Sequence, residues 1–427
     1  MILVYRVFTT FLYPCLVLFI YLRKIVKKED PVRFKEKILV SHFKVKKRKK
    51  AKLIWFHSAS IGEFKSIIPI INYLNIYHKN LKFLITTTTF SSGNLAKVEL
   101  KKFNNVEHRY FPLDVPFLVE QFLNLWKPDN IFLVDSEIWP NLILKVKEKK
   151  IPIALINARL TSKSFNKWMI FSNIAKKIFG VFSLFICSNA ETKAFLKKLN
   201  LRNIYFIGNI KLAYQVNEEK VKNLNESILT RKKFWLAAST HKEEHLICLK
   251  THIKLKKRFG DMRTIIAPRH IERFEEIKSL SKKFKLNVQV LNKNEKILKN
   301  KEIIIINYFG ALTGYFKYVK SVFIGKSMIL KLQDQGGQNP IEAAKLGCKI
   351  YHGPYVYNFN DIYRILARNK ISKKINNYDE LSGNLALDFE KSKKKIYENK
   401  NLINRLGQKT LNDTMKIVNS FLDGKII

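Results

Sequence analysis

Two α/β units, each a doubly wound parallel sheet, are the fold that this sequence predicts, and three observations carry that expectation. Short apolar runs alternate with stretches of helical period along most of the chain, the pattern of strands laid parallel between helices. A polar stretch near 213–230 lacks strong periodicity and divides the alternation into two series. With 427 residues, 47% of them hydrophobic, the chain is long enough to bury more than one large core.

The first series opens at Leu53–Phe56 and runs into Trp55-Phe56-His57-Ser58-Ala59-Ser60-Ile61-Gly62-Glu63. Strands are predicted at 82–88, 131–135, 153–157, 184–188 and 204–208, with helices at 139–150, 166–179 and 191–199 between them. The second series places strands at 234–239, 263–267, 287–291, 302–307, 321–325 and 349–353, followed by a charged helical tail over roughly 379–422. No repeat of solenoid period is visible.

Ahead of both series, Ile2 to Leu22 is almost wholly apolar, interrupted mainly by Arg6 and Pro14. As one helix it would reach roughly 31 Å, matching a bilayer core of about 30 Å. Arg23, Lys24, Lys27, Lys28, Arg33, Lys35 and Lys37 follow, which predicts a retained signal-anchor with everything downstream in the cytoplasm. The same pattern suits a helix lying in the membrane surface. The expected organisation is an anchor at 1–25, a basic linker at 26–50, a first domain at 51–215 and a second at 216–427.

Lys+Arg number 79 against 34 Asp+Glu, a formal charge of +45. Such a balance suits nucleic acid or an anionic membrane surface. The basic residues are spread over helix faces, with no zinc-finger or RNP signature, so nucleic acid is not the expected partner. Cys15, Cys187, Cys248 and Cys348 are far apart and form no C-x-x-C pair, which argues for a reducing compartment and against a metal site.

Glu63 sits where a strand's carboxyl end meets a helix's amino end, the usual place for chemistry in open α/β sheets. Ser60-x-x-Glu63 is equally a capping box. Asp135-Ser136-Glu137 has the look of the acidic pair of a metal-dependent transferase, but the helix starting at Trp139-Pro140 gives those charges a dipole to complement, and no metal is expected. In the second series, polar groups follow the strands at Ser239-Thr240-His241, at Pro268-Arg269-His270 and at Gly336-Gly337-Gln338-Asn339-Pro340-Ile341-Glu342. Helix amino termini with a nearby guanidinium suit phosphate, so this half reads as nucleotide-binding. Asn339 as N-cap, Pro340 at the first position and Glu342 at the third also make an ordinary helix start.

Taken together and in order, His57-x-Ala59-Ser60-x-Gly62-Glu63, Thr86-Thr87-Thr88, Pro112-Leu113-Asp114, Glu137-Ile138-Trp139-Pro140-Asn141-Leu142, Asn157-Ala158-Arg159-Leu160 and Gly208-Asn209-Ile210-Lys211 resemble the 3-deoxy-D-manno-octulosonic acid (Kdo) transferases of lipid A assembly. The resemblance continues through Ala237-Ala238-Ser239-Thr240-His241, Pro268-Arg269-His270 with Glu272-Arg273-Phe274, and Gly336-Gly337-x-Asn339-Pro340-x-Glu342.

It implies a GT-B glycosyltransferase with two Rossmann-like domains facing a cleft, an N-terminal acceptor domain and a C-terminal CMP-sugar domain, the final helix crossing back to the first. It implies an inverting transfer of Kdo from CMP-Kdo to the glucosamine disaccharide of a lipid A precursor, without a metal or other cofactor. The location implied is the cytoplasmic side of the inner membrane, whose anionic surface suits a basic protein. Glu63 falls on the family's base, and Glu137 and Lys211 on positions that support the transition state. Pro268, Arg269, Phe309, Gly310, Ala311, Asn339, Pro340, Ile341 and Glu342 fall where the family holds CMP. The chain departs from the family pattern at Ala311 (usually glutamate, in a methionine-glycine-glutamate turn), Gln338 (usually histidine) and Ile271 (usually proline). Two other readings remain open from the residues: a GT-B transferase using another sugar nucleotide, or a basic nucleic-acid-binding or scaffold protein on a degenerate transferase fold.

Overall fold

The computed structural model describes residues 2–43, 51–219, 221–390 and 394–426. The lysine-rich part of the expected linker, 44–50, lies outside the described residues. The chain divides into two compact units, one formed by Met1–Tyr214 with Gly407–Ile427, the other by Gln215–Leu406.

In the first unit, β1 (Lys52–Ser58), β2 (Leu81–Thr87), β3 (Val106–Tyr110), β4 (Asn130–Val134), β5 (Ile153–Ala158), β6 (Leu184–Cys187) and β7 (Ile204–Phe206) form one sheet in the order β3-β2-β1-β4-β5-β6-β7. Every pairing is parallel. Both faces of β1 are buried, as a sheet covered by helices on both sides requires. Trp55 packs with Phe122 and Leu123 on one face, and Phe56 with Phe64, Ile67 and Ile71 on the other. Leu411, Met415, Val418 and Phe421 of the last helix complete that second layer. Gly407 lets this helix press on the chain: a Cβ there would stand 2.1 Å from the Leu212 carbonyl oxygen.

The strand order reverses between β1 and β4. Loops at the carboxyl ends of these two strands therefore diverge from a crevice, the place where open α/β sheets bind ligands.

The second unit repeats the plan. Its strands are β8 (Lys233–Thr240), β9 (Met262–Pro268), β10 (Val288–Leu291), β11 (Ile303–Ile306), β12 (Ser321–Ile324), β13 (Lys349–His352) and β14 (Ser372–Lys374). They lie in the order β10-β11-β9-β8-β12-β13-β14, again all parallel, with the reversal between β8 and β12.

The N-terminal apolar stretch differs from the single helix expected. Two helices, α1 (Ile2–Phe11) and α2 (Tyr13–Ile25), meet at a 55° bend, and among the described residues no single helix is long and apolar enough to cross a membrane. The cause is Pro14 in the first turn of α2: it has no N–H to continue the ladder, and its ring crowds the preceding turn.

The pair is also tied to the first unit. Tyr5 donates to Asp114 at 3.1 Å, Asn141 Nδ2 donates to Thr9 Oγ1 at 3.1 Å, and Tyr13 donates to the Ile38 carbonyl. Ile20 is buried against Phe34 and Ile38. The opposite surface, with Leu3, Val7, Phe8, Phe11, Leu18, Phe19, Leu22 and Ile25, is exposed.

Candidate active site

The loop after β1 turns directly into the helix Ile61–Tyr77, and Glu63 occupies its first turn. Its carboxylate accepts from the Ala59 N–H at 2.7 Å, from the Ser60 N–H at 3.4 Å and from the Ser60 hydroxyl at 2.7 Å. Ser60 Oγ in turn accepts the Glu63 N–H at 3.3 Å. The capping box expected from the sequence is thus formed. A carboxylate offers about four lone-pair positions, so three contacts leave one free for a hydroxyl.

Across the reversal, Asp135 follows β4 with φ of 63°. Lys211 makes an ion pair with it, and the turn bearing Lys211 is held from two sides. Asn157 Oδ1 accepts the Ile210 N–H at 3.0 Å, and Asn209 Oδ1 accepts the Lys211 N–H at 3.1 Å. Asn157 itself takes φ of 53°, a conformation that asparagine tolerates better than most residues. Glu137 accepts from Trp139 Nε1 at 2.9 Å and lies 3.3 Å from His57 Nε2. His57 is fixed by Thr86 Oγ1 at 2.9 Å and stacks on Phe111.

Burial, with Asp135 and Glu137 nearby as like charges, raises the Glu63 carboxyl above its ordinary range, while Ser60 and Lys211 oppose that rise. A raised carboxyl is a stronger proton acceptor when ionised. Glu63, Glu137 and Lys211, far apart in sequence, share one electrostatic neighbourhood. Asp135 and His57 belong to it as well, and the sequence reading did not assign them a site role. The signal for Asp135 was its place in Asp135-Ser136-Glu137 at a strand's carboxyl end.

The free N–H groups of the following helix go to a different acid. At the start of the helix Pro140–Glu148, the Asp114 carboxylate accepts the Asn141 and Leu142 N–H groups at 3.0 and 2.9 Å. That accounts for Pro112-Leu113-Asp114 as a support of the Glu137 loop.

In the second unit, β9 ends at Pro268, and Arg269 is exposed beyond it, its N–H donating to the Thr240 carbonyl at 3.0 Å. Phe309 is 77% exposed, Gly310 takes φ of 83° and Ala311 is buried. Gly310, Ala311 and Thr313 line a cavity of about 370 Å³ together with Asn223, Asn225 and Tyr308.

The helix after the glycine pair begins at Ile341, one residue later than expected, with Pro340 in the N-cap position. Asn339 still serves that end, accepting the Ile341 N–H at 3.0 Å. Glu342 then stands in the second helical position and accepts from Thr313 Oγ1, which joins the 309–313 and 339–342 segments. Among the described residues, no group of three or more His, Cys, Asp or Glu side chains is arranged to hold a metal ion.

Two parallel sheets of this order, each with its polar groups at the reversal, define a GT-B-type enzyme. Consistent with that class, a UDP-N-acetylglucosamine 2-epimerase structure superposes with a TM-score of 0.59 at 14% identity, over 88% of this chain and 96% of that one. A glycosyltransferase from Rickettsia africae gives 0.57 at 12% identity, over 88% and 99%. Residues 33–214 match the family model described as 3-deoxy-D-manno-octulosonic-acid transferase (kdotransferase). The 3-deoxy-D-manno-octulosonic acid transferase of Rickettsia bellii is 30% identical over 417 residues, 96% of this chain and 97% of that protein. The chain belongs to the 3-deoxy-D-manno-octulosonic acid transferase family.

Proposed function

We propose that this protein is an inverting glycosyltransferase that moves Kdo from CMP-Kdo onto the glucosamine disaccharide of a lipid A precursor, in the assembly of the lipopolysaccharide core. The observation that carries the mechanism is the gathering of Glu63, Asp135, Glu137 and Lys211 at the reversal of the first sheet.

Inversion needs a single displacement. The acceptor hydroxyl oxygen bonds to the anomeric carbon of Kdo, the bond from that carbon to the CMP phosphate oxygen breaks, and the hydroxyl proton passes to Glu63. CMP leaves with the electron pair. Base assistance of this kind contributes about 10²–10⁴-fold. Lys211 balances the acidic cluster and supports charge that develops in the displacement. Glu137, held by Trp139, shapes the field around the base.

Donor binding is assigned to the second unit: Pro268 and Arg269, the Phe309-Gly310-Ala311 turn, and Asn339, Pro340, Ile341 and Glu342. Arg269 supplies a permanent cation for the phosphate. No metal is assigned a role, since fixed lysine and arginine cations at these positions perform the charge stabilisation that a divalent ion performs elsewhere.

The bent N-terminal pair is read as the seat on the cytoplasmic face of the inner membrane. Its exposed apolar surface suits the acyl boundary, and Arg23, Lys24, Lys27 and Lys28 suit anionic headgroups. The polar ties of Tyr5 and Thr9 to the first unit favour a pair lying along the surface over one crossing it. Replacing Phe8, Phe11 and Phe19 together by serine is expected to release the protein from anionic vesicles in a sedimentation assay. Unchanged binding would contradict this seat.

The transfer itself is tested with CMP-Kdo generated in the assay and a detergent-dispersed lipid A precursor, products being resolved by mass. A product heavier by one or more Kdo units is expected. No product from protein that still binds CMP would point to another donor or acceptor.

A further inference from the structure

We propose that Lys326, a residue outside the donor set assigned above, is a second cation that holds the donor's phosphate beside Arg269, at the reversal of the second sheet. The inference rests on the CMP-donor reading of this unit and adds a residue to it.

Topology gives the first reason. β8 and β12 are the neighbours between which the strand order reverses, β8 runs into Thr240-His241, and β12 runs into Gly325-Lys326. Lys326 therefore stands at the crevice where open sheets of this kind bind their ligands.

The second reason is how firmly the turn is built. The buried carboxylate of Glu244 accepts N–H groups from His241 at 2.9 Å, Lys326 at 2.8 Å, Ser327 at 2.8 Å and Met328 at 3.1 Å. One side chain thus fastens the ends of β8 and β12 together. The Lys326 carbonyl accepts the Gly337 N–H at 2.6 Å, linking this bracket to the glycine turn ahead of Asn339. Gly325 has no room for a side chain, since a Cβ would lie 2.6 Å from the Ser239 carbonyl oxygen.

Third, the Lys326 ammonium is left without a counter-charge among the described residues. Lys326 takes φ of 57°, as Lys27, Lys127, Lys150, Lys285 and Lys370 do within about 15°, a backbone that glycine adopts without strain. Its ammonium makes no ion pair with a carboxylate among the described residues, and neither does the Arg269 guanidinium. Burial, with Arg269 nearby, lowers the Lys326 pKa from its ordinary value. Burial together with Lys326, His270, Arg273 and Arg269 pushes His241 down to about 4, so His241 is neutral near pH 7. Its Nε2 is buried with no hydrogen-bond partner among the described residues. His270 and Arg273 have Glu272 and Glu276 at 3.7 and 4.0 Å, whereas Lys326 and Arg269 have no carboxylate partner among the described residues, and a phosphate supplies that counter-charge.

The test uses the full chain and calorimetric titration with CMP, cytidine and inorganic phosphate. Lys326→Gly removes the cation and relaxes the backbone, so the fold is spared. It is expected to weaken CMP roughly tenfold or more, by loss of a charge-assisted contact, while cytidine binds as before. Inorganic phosphate is expected to compete with CMP in the wild type and less well in Lys326→Gly. In the wild type, CMP affinity is expected to fall with rising pH earlier than an ordinary lysine would dictate, and Lys326→Arg should flatten that fall. Equal weakening of CMP and cytidine, or CMP affinity unchanged by Lys326→Gly, would overturn the role given to Lys326 alone. Wild-type protein that binds no CMP would overturn the donor reading and this assignment with it.

Discussion

The two sheets reverse strand order in the same way, yet their crevices carry opposite charge. The first gathers carboxylates, with Glu63, Asp135 and Glu137 set around Lys211. The second gathers Arg269, Lys326 and Arg273 around His241; Arg273 has Glu276 at 4.0 Å, and the buried carboxylate of Glu244 is occupied by four backbone N–H groups. The difference teaches that one topology supplies a place, and the side chains there decide between two tasks. An acidic crevice raises a carboxyl until it becomes a useful proton acceptor. In the proposed division of labour, a cationic crevice with its carboxylate buried in the backbone would hold an anion, and proton transfer would fall to the other unit.

Substitutions that interfere with this division are expected to differ in size. Glu63→Gln keeps the shape of the cap and removes the base, so kcat should fall by about two orders of magnitude or more while CMP affinity stays. Single-turnover kinetics with a parallel CMP titration measure both. Next, Lys211→Met takes away the cation paired with Asp135. A loss on the order of 10²-fold in kcat is expected, typical for a removed electrostatic contact, together with a further rise of the Glu63 pKa. The acid limb of the rate profile should move to higher pH.

A smaller effect is expected at Arg269. Arg269→Ala should weaken CMP by roughly tenfold to a hundredfold and raise the donor KM before it touches kcat. A change confined to kcat would remove Arg269 from donor binding.

The finest test concerns the acidic crevice itself. The proposed base, Glu63, could act only when ionised, and its pKa is raised by burial and by Asp135 and Glu137. The rate should therefore climb with pH through a value above the ordinary carboxylate range. Glu137→Gln removes one like charge and should shift that limb to lower pH. An unmoved limb would mean that another group sets it.

Much of the fold was legible because buried parallel strands read as apolar runs. Ile303–Ile306 and Ile153–Ala158 lie within a residue or two of where the sequence put them. The strands missed were β3 and β14, both at sheet edges. Val106-Glu107-His108-Arg109-Tyr110 is half-buried and mostly polar, and Ser372–Lys374 is short, so neither carries an apolar signal. The helix expected at 166–179 is two helices that meet at Phe171, where neither glycine nor proline marks the break.

At the site, Glu63 could be read locally because its cap lies within four residues. The pairing of Lys211 with Asp135 could not, since 76 positions separate them. Nor could the Thr313 contact to Glu342, or the bracket by which Glu244 joins β8 to β12. Lys326 gave no signal at all in sequence, because its proposed role lies in neighbours supplied by other strands.

The central claim is that the acidic crevice takes the acceptor's proton, and one comparison tests it most directly. Kdo transfer from CMP-Kdo to a lipid A precursor would be followed by mass for wild-type protein and for Glu63→Gln at equal CMP occupancy. The account predicts Kdo-bearing product from the wild type and about a hundredfold or more slower formation with Glu63→Gln. Near-equal turnover by the two proteins would contradict it and leave Glu63 as a helix cap.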